Sequence, residues 1–305
     1  MTEISFDRNF DPQTGSAVPL GPHVRRITAP NSSPFTFRGT NSYIVGHGTV
    51  AVIDPGPDDA SHIAALLAAT AGETIAAIIV THGHRDHIDG VARLKAASGA
   101  PVHAGSAHRP VRAPLAGQAA RLDAGADERF VPDVVIADGG RITGPGWSLE
   151  AIATPGHAAD HMAFALEGSG MLFSGDHVMG WSTTVVAPPD GAMADYIASL
   201  ERLAARPETI YLPGHGAPIA DAPTFVRALK SHRKLREAAI LARIARGDRT
   251  IAEIVAVIYR ETPAVLHGAA AMSVLAHIED LVARGRVSIA SGSGLAAEYV
   301  AVSAD

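Results

Sequence analysis

The sequence predicts an α+β protein in which a larger domain built on strands precedes a smaller helical one. Short, β-branched apolar segments alternate with helical segments up to about residue 216. Four predicted strands end in bends that contain Gly or Pro and carry His or Asp, which is how a rigid sheet presents chemistry on loops. After residue 218 the composition changes to Ala, Arg and Leu at helical spacing. We therefore expect domains at residues 1–222 and 223–305.

Length and composition permit an enzyme and restrict its metal ligands. The 305 residues are enough to bury a substantial core, and 47% hydrophobic against 18% charged residues is typical of a globular protein. Cysteine is absent, so a metal site must use His, Asp, Glu or backbone oxygen, and there are 15 histidines. Residues 1–11 lack the pattern of a signal peptide, and we expect no apolar stretch to reach the ~20 residues of a membrane span. The sequence predicts a cytoplasmic protein without membrane association.

The first half of the larger domain leads to a polar loop. Its predicted elements, in order, are two strands within residues 40–53, a bend at 54–57, a helix at 61–69, a strand at 75–80 and a helix at 88–97. Between the last two lies Thr-His-Gly-His-Arg-Asp-His, residues 81–87. The polar cluster therefore lies on a loop that joins a strand to a helix.

The second half repeats this arrangement three times. A strand at residues 149–153 ends in Thr-Pro-Gly-His, a strand at 171–173 ends in Ser-Gly-Asp-His, and a strand at 209–212 ends in Pro-Gly-His-Gly. Each strand thus brings a potential metal ligand to its end.

The C-terminal domain has the outline of a winged helix. In its first helix we expect these apolar residues to be buried: Phe225, Leu229, Leu235, Ile240 and Ile244. A capping box of Thr250 and Glu253 begins a second helix that runs to about residue 259, and a third spans 269–283. Residues 286–289 and 298–302 then form a hairpin. Three helices followed by a hairpin is the order of elements in a winged helix.

The charge of this domain leaves two interpretations open. Residues 223–290 carry a local charge of +5 within a chain of −6, and the first helix holds five basic residues: Arg227, Lys230, Arg233, Lys234 and Arg236. Binding of DNA or RNA is one interpretation. The other is a lid or a homodimerisation element that shields the cleft, which we favour because no aromatic platform accompanies the basic residues.

Seven side chains form the candidate metal site, which is too many for one tetrahedral zinc ion. We expect His82, His84 and His157 to bind one divalent ion, and Asp86, His87 and His215 to bind a second, with Asp176 between the two. A hydroxide bridged between the ions would be the nucleophile, and the centre would keep a formal charge of about +1 that favours a developing oxyanion. Zinc is the first expectation, and manganese or iron also fits imidazole and carboxylate ligands.

Supporting roles fall to neighbouring residues. Asp54 is the first candidate to accept a hydrogen bond from a ligand histidine, ahead of Asp89. As catalytic residues we expect Asp86, which would orient the nucleophile, and His161, which would contact substrate or donate a proton. A supporting or core position for His161 is the equal alternative. His177 should point away from the metals.

Two further interpretations concern single residues. Trp181 is expected either to wall the substrate pocket or to be an ordinary core residue. The remaining histidines, His108 among them, are expected to be structural or exposed.

Together these motifs resemble those of the metallo-β-lactamase superfamily. The match covers residues 81–90, 154–157, 174–176 and 213–216, in the same order and with similar spacing. The resemblance implies an αββα sandwich with the metals at one edge of the two sheets. Residues 39–43 and the His157-x-x-x-His161 spacing are similar to a subgroup with a winged-helix tail, which includes the lactamase-β-like endoribonuclease. Asp89 departs from the pattern, because many members have Gly there.

Three functions remain as hypotheses. The first is hydrolysis of an ester, thioester, lactone or similar small acyl substrate. The second keeps the same centre but cleaves single-stranded RNA, with the basic tail guiding it. The third is a nucleic-acid-binding regulator with a structural metal site, against which an open position between the metals argues.

Overall fold

The computed structural model describes residues 4–113, 125–127 and 129–302. Two sheets lie at its centre. The first has seven strands that pair in chain order: β1 Val18–Gly21, β2 Val24–Thr28, β3 Asn41–His47, β4 Thr49–Ile53, β5 Thr74–Ile79, β6 Val102–Ala104 and β7 Val134–Val135. The second has five strands in the order β12-β11-β10-β9-β8: β8 Arg141–Gly144, β9 Trp147–Ala153, β10 Met162–Leu166, β11 Met171–Gly175 and β12 Ile210–Pro213. The predicted α+β class is confirmed.

Helices cover the outer face of each sheet. Those of the larger domain are α1 Ala60–Ala69, α2 Arg85–Ile88, α3 Val91–Ser98 and α4 Met193–Ala204. Along β4, Ala51 and Ile53 face the second sheet, whereas Val50 and Val52 face α1 and α3, because successive side chains of a strand point to opposite faces. The result is a layered order of helix, sheet, sheet and helix.

Apolar side chains pack on both faces of the second sheet. Phe164 and Phe173 pack between the sheets, and Leu172 packs outward against Tyr196 and Leu200 of α4. Burying large apolar side chains of this kind stabilises a fold by about 1.5–3 kcal/mol each. The sheets are therefore a rigid base for the loops at their edge.

The C-terminal domain has its own core. It comprises α5 Ala222–Ala245, α6 Ile251–Ile258, α7 His267–Ala283 and the hairpin of β13 Val287–Ser291 with β14 Glu298–Ala301, and short 3₁₀ turns lie at Ala264–Leu266 and Gly294–Ala296. The capping box of Thr250 and Glu253 is present at the start of α6. Helix α5 contributes Val226 and Leu229 to the core of the larger domain, and Ile240 to that of the smaller one. The expected boundary at residues 222 and 223 stays a prediction.

Three expectations about elements are wrong. The helix expected at residues 88–97 is instead the short α2 and α3, separated at Asp89 and Gly90. A Cβ on Gly90 would lie 2.8 Å from the carbonyl oxygen of Pro55, so the chain at this break leaves no room for a side chain. Leu235 is 51% exposed rather than buried.

The third wrong expectation is that no apolar stretch reaches the length of a membrane span. Segment Ala264–Ala283 is long and apolar enough to cross a bilayer, with mean hydropathy 1.3. Half of this segment is buried inside the protein, and Val274 and Leu281 belong to the C-terminal core. A core helix meets the same criteria of length and hydropathy. These two properties alone are therefore weak evidence for a membrane span.

Candidate metal centre

Five chain segments bring the seven predicted ligands to one edge of the two sheets. His82 and His84 follow β5, Asp86 and His87 lie on α2, and the other three follow strands of the second sheet: His157 after β9, Asp176 after β11 and His215 after β12. An isolated bridge between Thr40 and His215, and a hydrogen bond from the Asn41 backbone N–H to the Gly214 carbonyl, join the sheets at this edge. The convergence expected from the sequence is therefore present in the fold.

The first group consists of three buried histidines. Nδ1 of His84 lies 3.0 Å from Nε2 of His82 and 3.0 Å from Nε2 of His157. Burial, followed by the neighbouring His84, lowers the pKa of His157 to about 4, so the ring is neutral near pH 7. Three imidazoles with converging nitrogen atoms are a suitable ligand set for a divalent ion.

The second group combines two carboxylates with two histidines. Nε2 of His215 lies 3.2 Å from Oδ2 of Asp86 and 3.2 Å from Oδ2 of Asp176, and Nε2 of His87 lies 3.5 Å from an oxygen of each carboxylate. Burial opposes a charge on His215, but Asp176 and Asp86 raise its pKa to about 9. Two carboxylates that face two imidazole nitrogens are a second suitable ligand set for a divalent ion.

Asp176 also connects the two groups, since its Oδ2 lies 3.9 Å from Nε2 of His157. Within each group the potential ligand atoms all lie within 4.8 Å of one another. Three buried atoms of these ligand side chains have no hydrogen-bond partner among the described residues: Nε2 of His87, Oδ1 of Asp86 and Oδ1 of Asp176. Buried polar atoms are normally satisfied, so these three fit a bound metal.

Asp54 supports the second group from behind. Its carboxylate accepts hydrogen bonds from the Thr81 backbone N–H at 2.8 Å, from the Thr81 hydroxyl at 2.8 Å and from Nδ1 of His87 at 2.9 Å. A carboxylate that accepts from Nδ1 leaves the Nε2 lone pair of His87 available for a metal. Asp89, the alternative, is half-buried at the end of α2, and within the described residues its carboxylate accepts no hydrogen bond from a ligand histidine.

Main-chain carbonyls orient two further ligands. Nδ1 of His157 donates to the Val185 carbonyl at 2.7 Å, and Nδ1 of His215 lies 3.3 Å from the carbonyl oxygen of Gly39. Each contact leaves Nε2 facing the centre. The outer nitrogens of these ligands are thus satisfied within the fold, as metal-binding histidines require.

His161 lies behind the centre rather than in front of it. Its Nδ1 lies 2.8 Å from the Thr154 hydroxyl, and its Nε2 accepts the backbone N–H of Asp176 at 3.2 Å. The side chain is buried, and burial holds its pKa well below the usual value. With both nitrogens in use, His161 is placed to hold Asp176, which favours the supporting interpretation over a catalytic one.

His177 and Trp181 complete the residues singled out from the sequence. His177 is buried against the Tyr196 ring, with centroids 4.5 Å apart, and faces away from the ligands. Trp181 stacks on Phe37 with centroids 4.8 Å apart and packs on Gly216. Trp181 is partly buried, and one face of its ring is covered by Phe37.

Sequence reasoning missed a chain of polar residues beside the first group. Oδ2 of Asp190 lies 3.7 Å from Nε2 of His84, and Oδ1 of Asp190 lies 3.6 Å from Nε2 of His108. His108 also lies 3.6 Å from Asp160, which accepts the Gly83 backbone N–H at 2.9 Å. Burial opposes a charge on His108, but the two carboxylates raise its pKa to about 9. The expectation from the sequence is that His108 is structural or exposed, and its contacts with Asp160 and Asp190 are compatible with a structural role. Sequence reasoning missed these partners because they are far away in sequence.

Comparison with known proteins identifies the family. The family model described as the metallo-beta-lactamase superfamily matches residues 35–215, which contain all seven predicted ligands. The chain belongs to the metallo-beta-lactamase superfamily. A second model, the beta-lactamase associated winged helix domain, matches residues 250–293 and confirms the predicted C-terminal fold.

Relatives of similar length extend this assignment. The superfamily member described here is 31% identical to a beta-lactamase-like protein 2 homolog of Drosophila melanogaster, over 88% of this chain and 91% of that protein. It is also 31% identical to an atrochrysone carboxyl ACP thioesterase of Passalora fulva, over 82% and 72% of the two chains. A metallo-beta-lactamase family protein from Thermus thermophilus superposes with a TM-score of 0.74 at 26% identity, covering 93% of this chain and all of that one. The protein is a metal-dependent hydrolase of this superfamily.

Proposed function

We propose that this hydrolase cleaves an acyl thioester, with two metal ions held by the seven residues of the centre. The observation that carries the proposal is the position of Asp176, whose oxygens lie 3.9 Å from His157 in the first group and 3.2 Å from His215 in the second. One carboxylate between two adjacent ligand sets is the arrangement of a binuclear hydrolytic centre. Zinc is the expected metal, and manganese or iron fits the same ligands.

Within this proposal the protein residues have distinct tasks. Bound ions would supply Lewis acidity, which lowers the pKa of water and polarises a carbonyl. Asp86, on α2, has its Oδ2 within 3.2 Å of His215 Nε2 and 3.5 Å of His87 Nε2, so its carboxylate can accept a hydrogen bond from the attacking water and orient that water. Asp54 and His161 hold His87 and the Asp176 main chain in place.

The choice of a thioester draws on a relative and on the centre's charge. A protein 31% identical over 82% of this chain is named as a thioesterase that acts on a carrier-protein-bound acyl group. A centre with a small positive charge stabilises the oxyanion that develops when water adds to a thioester carbonyl. A thiolate is a good leaving group, so the reaction makes little demand for a separate general acid.

Cleavage of RNA is less well supported by the C-terminal domain. Residues 272–278 of α7, the helix that would enter a nucleic-acid groove, are all buried. On α5, Arg233 is buried, Lys230 pairs with Glu201 at 2.8 Å, and Arg236 lies 4.4 Å from the Tyr259 ring centroid. Three of the five basic residues singled out on α5 thus have partners within the protein.

A substrate panel tests the proposal. Purified protein loaded with zinc would be assayed on N-acetylcysteamine thioesters of several acyl groups, on the matched oxygen esters and on single-stranded RNA at low salt. We expect thioester turnover that is lost on chelation and in D86N, and regained by the wild type when zinc is restored. RNA cleavage without thioester turnover would support the nuclease instead, and DNA binding without any turnover would support the regulator.

A further inference from the structure

The main chain around Asp176 is held from both sides by side chains. Its N–H donates to Nε2 of His161 at 3.2 Å, and its carbonyl accepts the Thr184 hydroxyl at 2.7 Å. The same hydroxyl lies 3.2 Å from the carbonyl oxygen of His177. Because the Asp176 carboxylate is only two bonds away from this main chain, its direction towards both ligand groups depends on these contacts.

Arg233, on the long helix α5, contacts two residues that hold this segment, Thr184 and Tyr196. Its guanidinium donates a hydrogen bond to the Thr184 carbonyl, and its Cζ lies 5.1 Å from the centroid of the Tyr196 ring. The Tyr196 hydroxyl in turn donates to the His177 carbonyl at 3.0 Å. Two separate routes therefore connect Arg233 with the residues at positions 176 and 177.

The burial of Arg233 calls for a specific reason. The residue is 2% exposed, its Nε has no hydrogen-bond partner, and it forms no ion pair with a carboxylate of the described residues. A buried cation without a counter-ion is costly, and a Met or Leu side chain would fill the same space without that cost. Arg differs from these in offering a planar fork of donors together with a face that packs on an aromatic ring.

We propose that Arg233 is a positioning residue for the Asp176 carboxylate, so that a helix extending into the winged-helix domain helps to build the metal centre. This inference rests on the metal centre of the proposed function. It gives the C-terminal domain a task within the hydrolase, since α5 packs on the larger domain through Val226 and on the smaller one through Ile240. Displacing α5 would then displace Asp176.

Metal affinity is the property to measure, because loss of packing alone would not change it. The variants are R233M, which keeps the apolar stem, R233K, which keeps the charge, and T184V, which removes the hydroxyl. K234M is the matched control, since Lys234 is the exposed neighbour on the same helix. Zinc affinity would be measured for each full-length protein by competition with a chelator of known affinity, with stoichiometry from elemental analysis and stability from thermal unfolding.

We expect R233M and T184V each to weaken the binding of at least one zinc ion by about tenfold or more, the effect typical of losing a group that orients a ligand. R233K should fall between R233M and the wild type, and K234M should stay within about twofold. The double variant R233M/T184V should lose less zinc affinity than the sum of the two single losses, because both changes break the connection through Thr184.

Two other results would overturn the inference. In the first, R233M has a lower melting temperature but wild-type zinc affinity, which would show that Arg233 only packs. In the second, R233M does not fold but R233K and T184V both keep wild-type zinc affinity, which would lead to the same conclusion. Wild-type protein that binds no zinc would refute the proposed metal centre itself, whereas wild type with two ions and unchanged variants would refute the role of Arg233 alone.

Discussion

Replacement of Asp54 by Asn should separate the stability of the fold from the integrity of the metal centre. Asp54 accepts three hydrogen bonds, from the Thr81 N–H, the Thr81 hydroxyl and Nδ1 of His87, at 2.8, 2.8 and 2.9 Å. An amide has one accepting oxygen and one donating NH2 group in place of two accepting oxygens. D54N can therefore satisfy one side of this arrangement but not both.

Each orientation of the amide has a defined cost. With NH2 towards His87, Nδ1 must accept, the ring proton moves to Nε2, and that nitrogen can no longer bind a metal. With NH2 towards the Thr81 N–H, two buried donors face each other, which destabilises the protein by about 1–3 kcal/mol. Loss of a group that orients a ligand histidine typically weakens metal binding about 10- to 100-fold, which is about 1.4 to 2.8 kcal/mol. We expect the first orientation, and hence a loss in zinc affinity of that size.

The assay is zinc competition with a chelator, combined with thioester turnover at saturating and limiting zinc. D54N should lose one of two ions at limiting zinc and recover part of its activity at high zinc. D89N is the matched control, because Asp89 lies nearby on the same loop system without touching a ligand, and it should behave as the wild type. D54N with zinc affinity within about threefold of the wild type would refute the role assigned to Asp54.

Further predictions follow from the same contacts. H161Q should lower zinc affinity because the contact with the Asp176 main chain is altered, and it should leave the pH profile of kcat unchanged. Loss of an ionisation from that profile would instead indicate that His161 is a catalytic residue. G214A should abolish binding of at least one zinc ion, because the added Cβ would overlap the Asp176 carboxylate, and G268A, whose Cβ would meet nothing within 4 Å, should bind normally. Two carboxylates raise the pKa of His108 to about 9 in the folded protein, from about 6.5 in the unfolded chain. The ion pairs of His108 therefore stabilise the fold fully below pH 6.5, and this stabilisation is lost as the pH rises through 9. H108Q should therefore be less stable than the wild type in chemical denaturation at pH 6, by at most about 3 kcal/mol, and equal to it near pH 10, and a constant difference would count against the ion pairs.

The ligand set could be predicted because its members lie in four polar bends that each come after a strand. Strands that run in the same direction bring their C-terminal ends to one edge, as β9, β11 and β12 do, so the order of the polar bends along the chain indicates a common location. His82, His157 and His215 meet there although up to 133 positions separate them. Asp54 is the better candidate than Asp89 because it comes at the end of a strand, and the structure shows that this strand pairs with the one before His82.

The polar chain beside His84 could not be predicted in this way. Asp160 contacts the Gly83 N–H across 77 positions, and Asp190 meets His108 across a similar distance. Neither pair has a spacing that a helix or strand would impose. Such contacts depend on how distant segments of the chain pack together in the fold. The periodicity of a sequence does not predict this packing.

Helical periodicity failed where a helix changes its partner. Helix α5 packs on the larger domain around Leu229 and on the smaller domain around Ile240. Leu235 lies between these two contacts and about 200° around the helix from the buried Arg233, so it faces outward. An apolar residue at that position satisfies the pattern without contributing to either core.

Anomalous diffraction from crystals grown with zinc tests the binuclear centre most directly. We predict two peaks about 3.5–4 Å apart, one bound by His82, His84 and His157, the other by Asp86, His87 and His215, with the Asp176 carboxylate reaching both. A single peak with four protein ligands and no open position would contradict this centre, as would zinc bound elsewhere with these side chains in their present ion pairs.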